Sequence, residues 1–438
     1  MPIKKATRYA AEDADITFRL YEKYSPMLQD AGLSELMITL EVPLIRVLGN
    51  MELEGIQCDA KVLQSYSKEI EGKLAEIEDR IYTECGEIFN INSTKQLQHI
   101  LFTKRKLTPI RKTKTGYSTD TKVLEELSKE DVVPELILEH RGLSKLKSTY
   151  IDALPKIVNQ ETLRIHTHFI QTGTATGRLS SRDPNLQNIP VKDEDGRRIR
   201  NAFIPKKGWK FLSADYSQIE LVILAHLSED PELQKAFSEG IDVHKQTASL
   251  LFEKPLEEIE MQERRIAKTI NFGIMYGMSG YRLSRELGIP RDKADSFIES
   301  YFQKYSGIKD FVDRTVEAAK ESGKVSSILG RTRPVPRITS KNKTEQMSAQ
   351  RIALNTPIQG SAADIVKLAM IELEKRLTQD GFAAKILLQI HDELVIEFPP
   401  EEEEALVQTV REIMEGVYSL SVPLRVNIES GSSWGAVH

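Results

Sequence analysis

The segments that alternate like β-strands are few, short and far apart, and this limits what the chain can build. Trp209 to Ala214 reads as a strand ending at Asp215, and Ala384 to Phe398 as two short strands meeting around His391 and Asp392. Arg164 to Ile170 alternates in the same way and leads into a Gly/Ser/Asn/Pro-rich stretch that runs to Pro190. Between these segments apolar residues recur at helical spacing. Val62, Leu63, Tyr66, Ile70, Leu74, Ile77 and Ile81 mark one helix, and Thr121 to Ala153 and Pro231 to Tyr305 read as helical too. The order is helices, sheet, helices, sheet, so the sheet must be assembled from distant segments. There is no internal repeat and no low-complexity tract.

The 438 residues are 40% hydrophobic and 29% charged, as expected of a folded chain with a large core. No apolar run approaches the roughly 18 residues of a membrane span, and Met1-Pro2-Ile3-Lys4-Lys5 does not resemble a secretory leader. Cys58 and Cys85 lack metal-ligand spacing, so a reducing cytoplasm is expected. Net charge is −5, yet basic residues cluster. Lys104, Arg105, Lys106, Arg111, Lys112 and Lys114 form one group, Arg141, Lys145 and Lys147 a second, and Arg331, Arg333, Arg337, Lys341 and Lys343 a third. Each alone reads as solvated surface; together they favour a polyanionic partner, because binding follows the local field. Asn92-Ser93-Thr94-Lys95-Gln96 reads as a helix start capped by Ser93, a geometry that can also hold a phosphate. Thr103 to Thr119 reads as a mobile loop.

Four segments carry chemistry. The first is Thr176-Gly177-Arg178-Leu179-Ser180-Ser181, continuing through Asp183-Pro184-Asn185-Leu186-Gln187-Asn188-Ile189-Pro190. The second is Asp215-Tyr216-Ser217-Gln218-Ile219-Glu220, and the fourth is His391-Asp392-Glu393. A lone Asp at a turn is ordinary turn chemistry. Two carboxylates brought together at strand ends are costly unless cations neutralise them, which paired Mg²⁺ ions shared with substrate phosphates would do. The third segment sets Arg264, Lys268, Phe272 and Tyr276 four residues apart, with Gly273 and Gly277 beside them. Each step of four drifts about 40° around a helix, so the four form one slanting stripe, cations first and aromatics after. Cations suit a triphosphate, and flat apolar surface suits a sugar and base. The glycines leave room for a backbone or base to approach.

These segments, in this order, resemble the motifs of family A DNA polymerases. Leu143 to Tyr150, Arg351-x-x-x-Asn355-x-x-x-Gln359-Gly360 and Gly431-x-x-Trp434-x-x-x-His438 extend the likeness over nearly the whole chain. The resemblance implies an α+β right-hand fold with a helical thumb, an antiparallel-sheet palm and helical fingers. The division it implies is an exonuclease remnant over 1–30, palm at 31–51, 161–218 and 378–438, thumb at 52–160 and fingers at 219–377. The activity it implies is extension of a primer 3′-hydroxyl with deoxynucleoside triphosphates on a DNA template, in replication and repair, by a monomer. The cofactor would be two Mg²⁺ ions, for which Mn²⁺ can substitute.

Residue by residue, the resemblance assigns metal binding to Asp215 and Asp392 with Tyr216, supported by Glu393. Arg264, Lys268 and His244 would hold the triphosphate, Lys268 also protonating the departing pyrophosphate. Phe272 would pack on the sugar, with Tyr276, Glu220 and Gln218 around the nucleotide. Arg178 and Gln359 would read minor-groove acceptors that all base pairs share. Asn185, Gln187, Asn188, Arg351, Asn355, His391, Arg141, Lys145, Lys147, Lys112 and Lys114 would complete the DNA contacts.

Two positions depart from the family pattern. Val222 replaces an Arg, for which only local repacking is expected. Lys192 replaces another, a point charge where a forked donor is usual. Tyr9-Ala10-Ala11-Glu12-Asp13 resembles the last motif of a 3′–5′ exonuclease, without the other carboxylates of that site. A nuclease and a catalytically inert DNA-binding scaffold are therefore the competing readings. The first lacks ligands, and the second is opposed by Asp215, Asp392, Arg264 and Lys268. Copying of RNA templates stays open within the leading reading.

Overall fold

A computed structural model of the chain describes residues 2–114, 116–191 and 193–437. Lys192, one of the two departures from the family pattern, and the terminal His438 lie outside the described residues. The chain forms two compact units: residues 1–54, 167–187 and 207–431, and residues 55–166, 188–206 and 432–438.

The first unit is built on a four-stranded sheet of β1 (Lys210–Tyr216), β2 (Lys385–Ile390), β3 (Glu393–Phe398) and β4 (Val426–Gly431). The order is β2-β3-β1-β4, antiparallel throughout, so the two distant segments form one ladder as the sequence requires. Every residue of β3 is buried, which is why it reads as a near-continuous apolar run rather than an alternation. The same unit holds α1 (Ile219–Ser228), α2 (Val243–Phe252), α3 (Met261–Met275) and α4 (Lys343–Gln379), with α2 packed against α3. The first of these helices packs against both the helix Ser306–Ser322 and α4, and residues Ile219 to Ala225 are all buried. Val222 is 2% exposed there, an environment that suits the apolar residue. A reciprocal capping box between Glu260 and Glu263 starts α3, and Asp242 caps α2.

In the second unit the helix Ala60–Cys85 is capped by Asp59, ends at Gly86 with φ +68°, and buries Leu63, Tyr66, Ile70, Ile77 and Ile81. It packs against the helix Val132–Leu146. Trp434 is fully buried, its ring 4.1 Å from the Arg200 guanidinium and edge-on to Phe203. Ser93 caps a five-residue helix, Thr94–Gln98, and the Gln96 side chain accepts from the Asn90 N–H.

Two expectations are revised. The strand expected over Arg164 to Ile170 is two strands: Arg164–Ile165 pairs with Ile56–Gln57 in the second unit, and His168–Ile170 with Ser180–Arg182 in the first. Hydrogen bonds from Arg164 to the Gly55 carbonyl fix one pair, and those from Thr167 to the Arg182 and Pro184 carbonyls fix the other. Thr103 to Thr119 is not a bare loop. It holds a short pairing of Lys112–Thr113 with Gly116–Tyr117, and the Tyr117 ring meets Phe102 edge-on. The long N-terminal helix, Ile3–Asp30, has no buried residue, and Tyr9 is 63% exposed upon it. Among the described residues no helix is long and apolar enough to cross a membrane.

Candidate active site

The site begins in the register of the central ladder. Glu393 opens β3 opposite Asp215 of β1, and the Tyr216 N–H donates to the Asp392 carbonyl at 3.2 Å. Hydrogen bonding of main chain thus brings together carboxylates from two remote segments. His391 holds φ +56°, the left-handed turn that lets β2 reverse into β3. Ser213 donates to Glu393 Oε1 at 2.7 Å, so Glu393 is buried with a partner beneath the pair. Burial pushes the Asp392 carboxyl up to about 6, with the nearby Glu220 charge adding to this and Arg178 opposing it. The Tyr216 hydroxyl donates to the Met414 carbonyl and is buried, so this residue can reach a metal only through its main chain.

The donors here are all oxygens, which suits a hard divalent cation. Among the described residues no group of three or more His, Cys, Asp or Glu is arranged to hold an ion. Two carboxylates without a third fit a cation that completes its shell from water and substrate phosphate, as Mg²⁺ commonly does.

Glu220 leaves β1 through Gln218, which holds φ +53°, and enters the first turn of α1. It is buried and saturated. Arg178 donates to Oε1 at 2.6 Å, and the Tyr276 hydroxyl to Oε2 at 2.5 Å. Gln359, on α4, stands close enough to the Tyr276 phenol to act on its ionisation. Arg178, Glu220 and Tyr276, which the resemblance distributes among minor groove, sugar and template, are therefore one connected network. Burial first, and then Glu220, raise the Tyr276 pKa, so the phenol keeps its proton.

Along α3, Arg264, Lys268 and Phe272 follow one another, and Tyr276 caps the helix end. Arg264 Nε donates to Asp242 Oδ2 at 2.8 Å, whereas Lys268 is exposed. Gly277 holds φ +65°, and a Cβ there would stand 2.7 Å from Arg351 Cγ; at Gly273 it would meet Met278 Sδ at 2.9 Å. The glycines therefore make room for protein side chains, where sequence reasoning expected a backbone or base. His244 is buried at the start of α2, its ring 5.8 Å from Phe272. Burial lowers its pKa to about 4, with Arg264 and Lys268 adding to the effect and Asp242 opposing it.

Several expected DNA contacts are committed to the protein itself. Gln187 is buried and its amide donates to the Gln389 carbonyl and side chain, so it braces β2. Asn185 is exposed, and its Oδ1 accepts from Ser181 and from the Gln187 N–H. Asn188 is exposed, Arg351 lies exposed on α4, and Asn355 Oδ1 is buried without a protein partner. In the second unit, Arg141 donates to the Thr119 carbonyl, and Lys147 is paired with Asp152 and Glu71. Lys104, Arg105 and Arg111 pair with Glu87, Asp131 and Asp120, while Lys106, Lys112 and Lys114 are exposed with no ion pair among the described residues. Lys145 has no ion pair among the described residues. The third cluster dissolves further: Arg331 is held by Glu41 and Asp364 rather than facing solvent.

Sequence reasoning missed Asp242, Asn271, Thr247, Ser213 and Gln389. Asp242 could have been found as the N-cap immediately before the helix Val243–Phe252; the others are single polar residues in apolar surroundings, with no spacing to mark them.

A sheet that gathers acidic strand ends beside a helix carrying cations and aromatics is the layout of a nucleotide-handling enzyme. Residues 60–436 match the model of DNA polymerase family A, and the chain belongs to that family. It is 48% identical over 438 residues to DNA polymerase I of Treponema pallidum (strain Nichols), covering 100% of this chain and 44% of that protein. To the thermostable DNA polymerase I of Thermus aquaticus it is 46% identical over 431 residues, covering 98% of this chain and 52% of the relative. The POL domain of Pol1 from M. smegmatis, solved in complex with DNA primer-template and dNTP, superposes with a TM-score of 0.91 at 40% identity, covering 96% of this chain and 74% of that one. The chain spans about half the length of the curated relatives it matches.

Proposed function

We propose that this chain extends a primer 3′-hydroxyl with deoxynucleoside triphosphates on a DNA template, releasing pyrophosphate. The observation that carries this reading is the union of Asp215 and Asp392 across the β1–β3 ladder, within one unit with the Arg264–Lys268–Phe272 stripe. Membership of the polymerase family and the primer-template and dNTP in the M. smegmatis complex support it. Two Mg²⁺ ions, or Mn²⁺ in their place, would be held by Asp215 and Asp392 and would neutralise charge on the attacking and departing oxygens. Arg264, Lys268 and His244 bind the triphosphate, and Lys268 supplies a proton to the leaving pyrophosphate. Phe272 packs on the sugar. Arg178, once released from Glu220, and Gln359 face the minor groove. The thumb, palm and fingers boundaries given above, a monomeric state, a place in replication and repair, and a cytoplasmic setting belong to the same proposal.

We also propose that this chain does not trim a mismatched primer. Tyr9 and Asp13 stand exposed on a helix with no buried residue, and a two-metal site needs more carboxylates than one.

Primer extension on DNA and RNA templates, with and without Mg²⁺, tests the activity. Asp215→Asn and Asp392→Asn should abolish addition while primer–template affinity stays within a few fold. Substantial turnover by either variant at matched Mg²⁺ would remove the assignment. Shortening of a 3′-labelled mispaired primer that persists in Asp215→Asn would overturn the second proposal.

A further inference from the structure

Behind the cationic stripe lies a buried polar relay that no step above uses. Asn271 precedes Phe272 on α3 but turns inward and is 1% exposed. Its Nδ2 donates to His244 Nδ1 at 3.0 Å and to Thr247 Oγ1 at 3.0 Å. Thr247, fully buried, donates to the Val243 carbonyl at 2.8 Å, and its hydroxyl lies 2.9 Å from the Tyr305 hydroxyl. The amide is thereby fixed from both sides, and it presents an N–H to one ring nitrogen of His244. Among the described residues, Nε2 of that ring has no hydrogen-bond partner.

We propose that Asn271 is a positioning residue for the incoming nucleotide: by donating to Nδ1 it holds His244 as the Nε2–H tautomer, so that the ring offers the triphosphate an uncharged donor. This rests on the reading of His244 as a triphosphate contact. A neutral imidazole carries one proton, and a nitrogen that accepts cannot also bear it. Protonating Nδ1 would set two N–H groups against each other in a buried place. The surrounding charges act in the same direction. Arg264 and Lys268 face the ring from α3 and oppose a positive charge, and Asp242, on its own helix, is the acid that favours one. Asp242 is already engaged by Arg264 and by the N–H groups of His244 and Lys245. Tyr305 stands beyond Thr247, and Glu232 of the neighbouring helix Pro231–Ser238 faces Gln246. The consequence is a phosphate contact that does not change between pH 6 and 8, where an ordinary histidine would lose its charge.

¹⁵N NMR of the full chain labelled at histidine, with the His244 ring assigned by its loss in His244→Gln, reads the tautomer directly. The proposal expects a neutral Nε2–H ring throughout pH 6 to 8. An Nδ1–H tautomer, or titration within that range, overturns it. Asn271→Asp replaces the donor by an acceptor, so the ring should gain a proton on Nδ1 and titrate near neutrality. The KM for deoxynucleotide should then rise on the order of tenfold from pH 6 to 8, since a charged hydrogen bond is roughly twice as strong as a neutral one, with kcat changed much less. The wild-type KM should stay flat. A folded Asn271→Asp with a flat KM would also overturn the proposal. If instead His244→Gln leaves the KM for deoxynucleotide unchanged, His244 does not meet the triphosphate. That failure belongs to the underlying reading, and the tautomer measurement still decides what Asn271 does.

Discussion

The Tyr276 hydroxyl donates to Oε2 of Glu220 at 2.5 Å, leaving the carboxylate's other oxygen to Arg178 at 2.6 Å. A buried carboxylate with both oxygens bonded is held in place, because losing either partner would leave charge uncompensated. One residue at the start of α1 therefore fixes the end of α3 and the Thr176–Arg178 loop together. Glu220 is one carboxylate with two fixed partners.

Sugar selection follows from this. With Glu220 and Phe272 around the incoming sugar, as proposed, a ribose 2′-hydroxyl would have to fit against a carboxylate and a ring. Glu220→Ala should raise ribonucleotide incorporation relative to deoxynucleotide, and it should lower overall rate because Tyr276 and Arg178 lose a shared anchor. Competition between ribo- and deoxynucleotides measures the ratio. An unchanged ratio would make Glu220 purely structural.

Lys268 and Arg264 differ in what already holds them. Arg264 is paired with Asp242, whereas Lys268 is exposed with no ion pair among the described residues. Lys268→Ala should therefore leave the helix intact and remove a stabiliser of developing charge. Such losses cost about 2.7–4 kcal/mol, so single-turnover rates should fall on the order of a hundredfold or more. DNA affinity should change little. A normal maximal rate would contradict the role.

The salt response should report on fewer cations than the composition suggests. Lys104, Arg105, Arg111 and Lys147 are paired internally, while Lys112 and Lys114 are exposed. Each phosphate contact adds about −0.9 to the log–log slope of affinity against salt. Charge reversal at both Lys112 and Lys114 should flatten that slope by roughly two such contacts, whereas reversal at Lys104 should leave it unchanged. Equal slopes in all three proteins would remove this segment from the DNA interface.

What could be read from the sequence was what periodicity and spacing encode. The β1 and β2–β3 segments and the α3 stripe follow from apolar patterning and four-residue spacing, whereas the joint role of Asp215 and Asp392 came from the resemblance to the polymerase family. The partners of individual polar side chains were not legible, since Gln187 bonding Gln389, or Asn271 bonding His244, depends on packing between segments remote in sequence. Charge runs misled for the same reason: a lysine beside other lysines looks free until a distant carboxylate is folded against it. Arg331 is the clearest case.

Arg331 reaches Glu41 and Asp364, and Lys367 bonds the same Glu41 at 2.8 Å. Asp364 and Lys367 are 0% and 1% exposed, so four charges are taken out of water at a large desolvation cost that their mutual pairing offsets. The cluster joins the segment Met37–Glu41, the turn after Lys324–Ser326 and α4. It also reaches the site, because Gly177 lies against it: a Cβ there would stand 2.5 Å from Arg331 Nε, and the backbone holds φ +80°. Asp364→Ala should cost about 3–5 kcal/mol, the loss usual when one member of a buried pair is removed, read as a fall in the urea midpoint. Gly177→Ala should lower the midpoint as well, because a left-handed backbone costs an L-residue about 1–2 kcal/mol and Arg331, held by Glu41 and Asp364, must give way, and it should displace Arg178 from Glu220. Its signature should be altered ribonucleotide discrimination in protein that remains folded at the assay temperature. If Gly177→Ala discriminates like the wild type, Arg331 supports the fold without setting the position of Arg178.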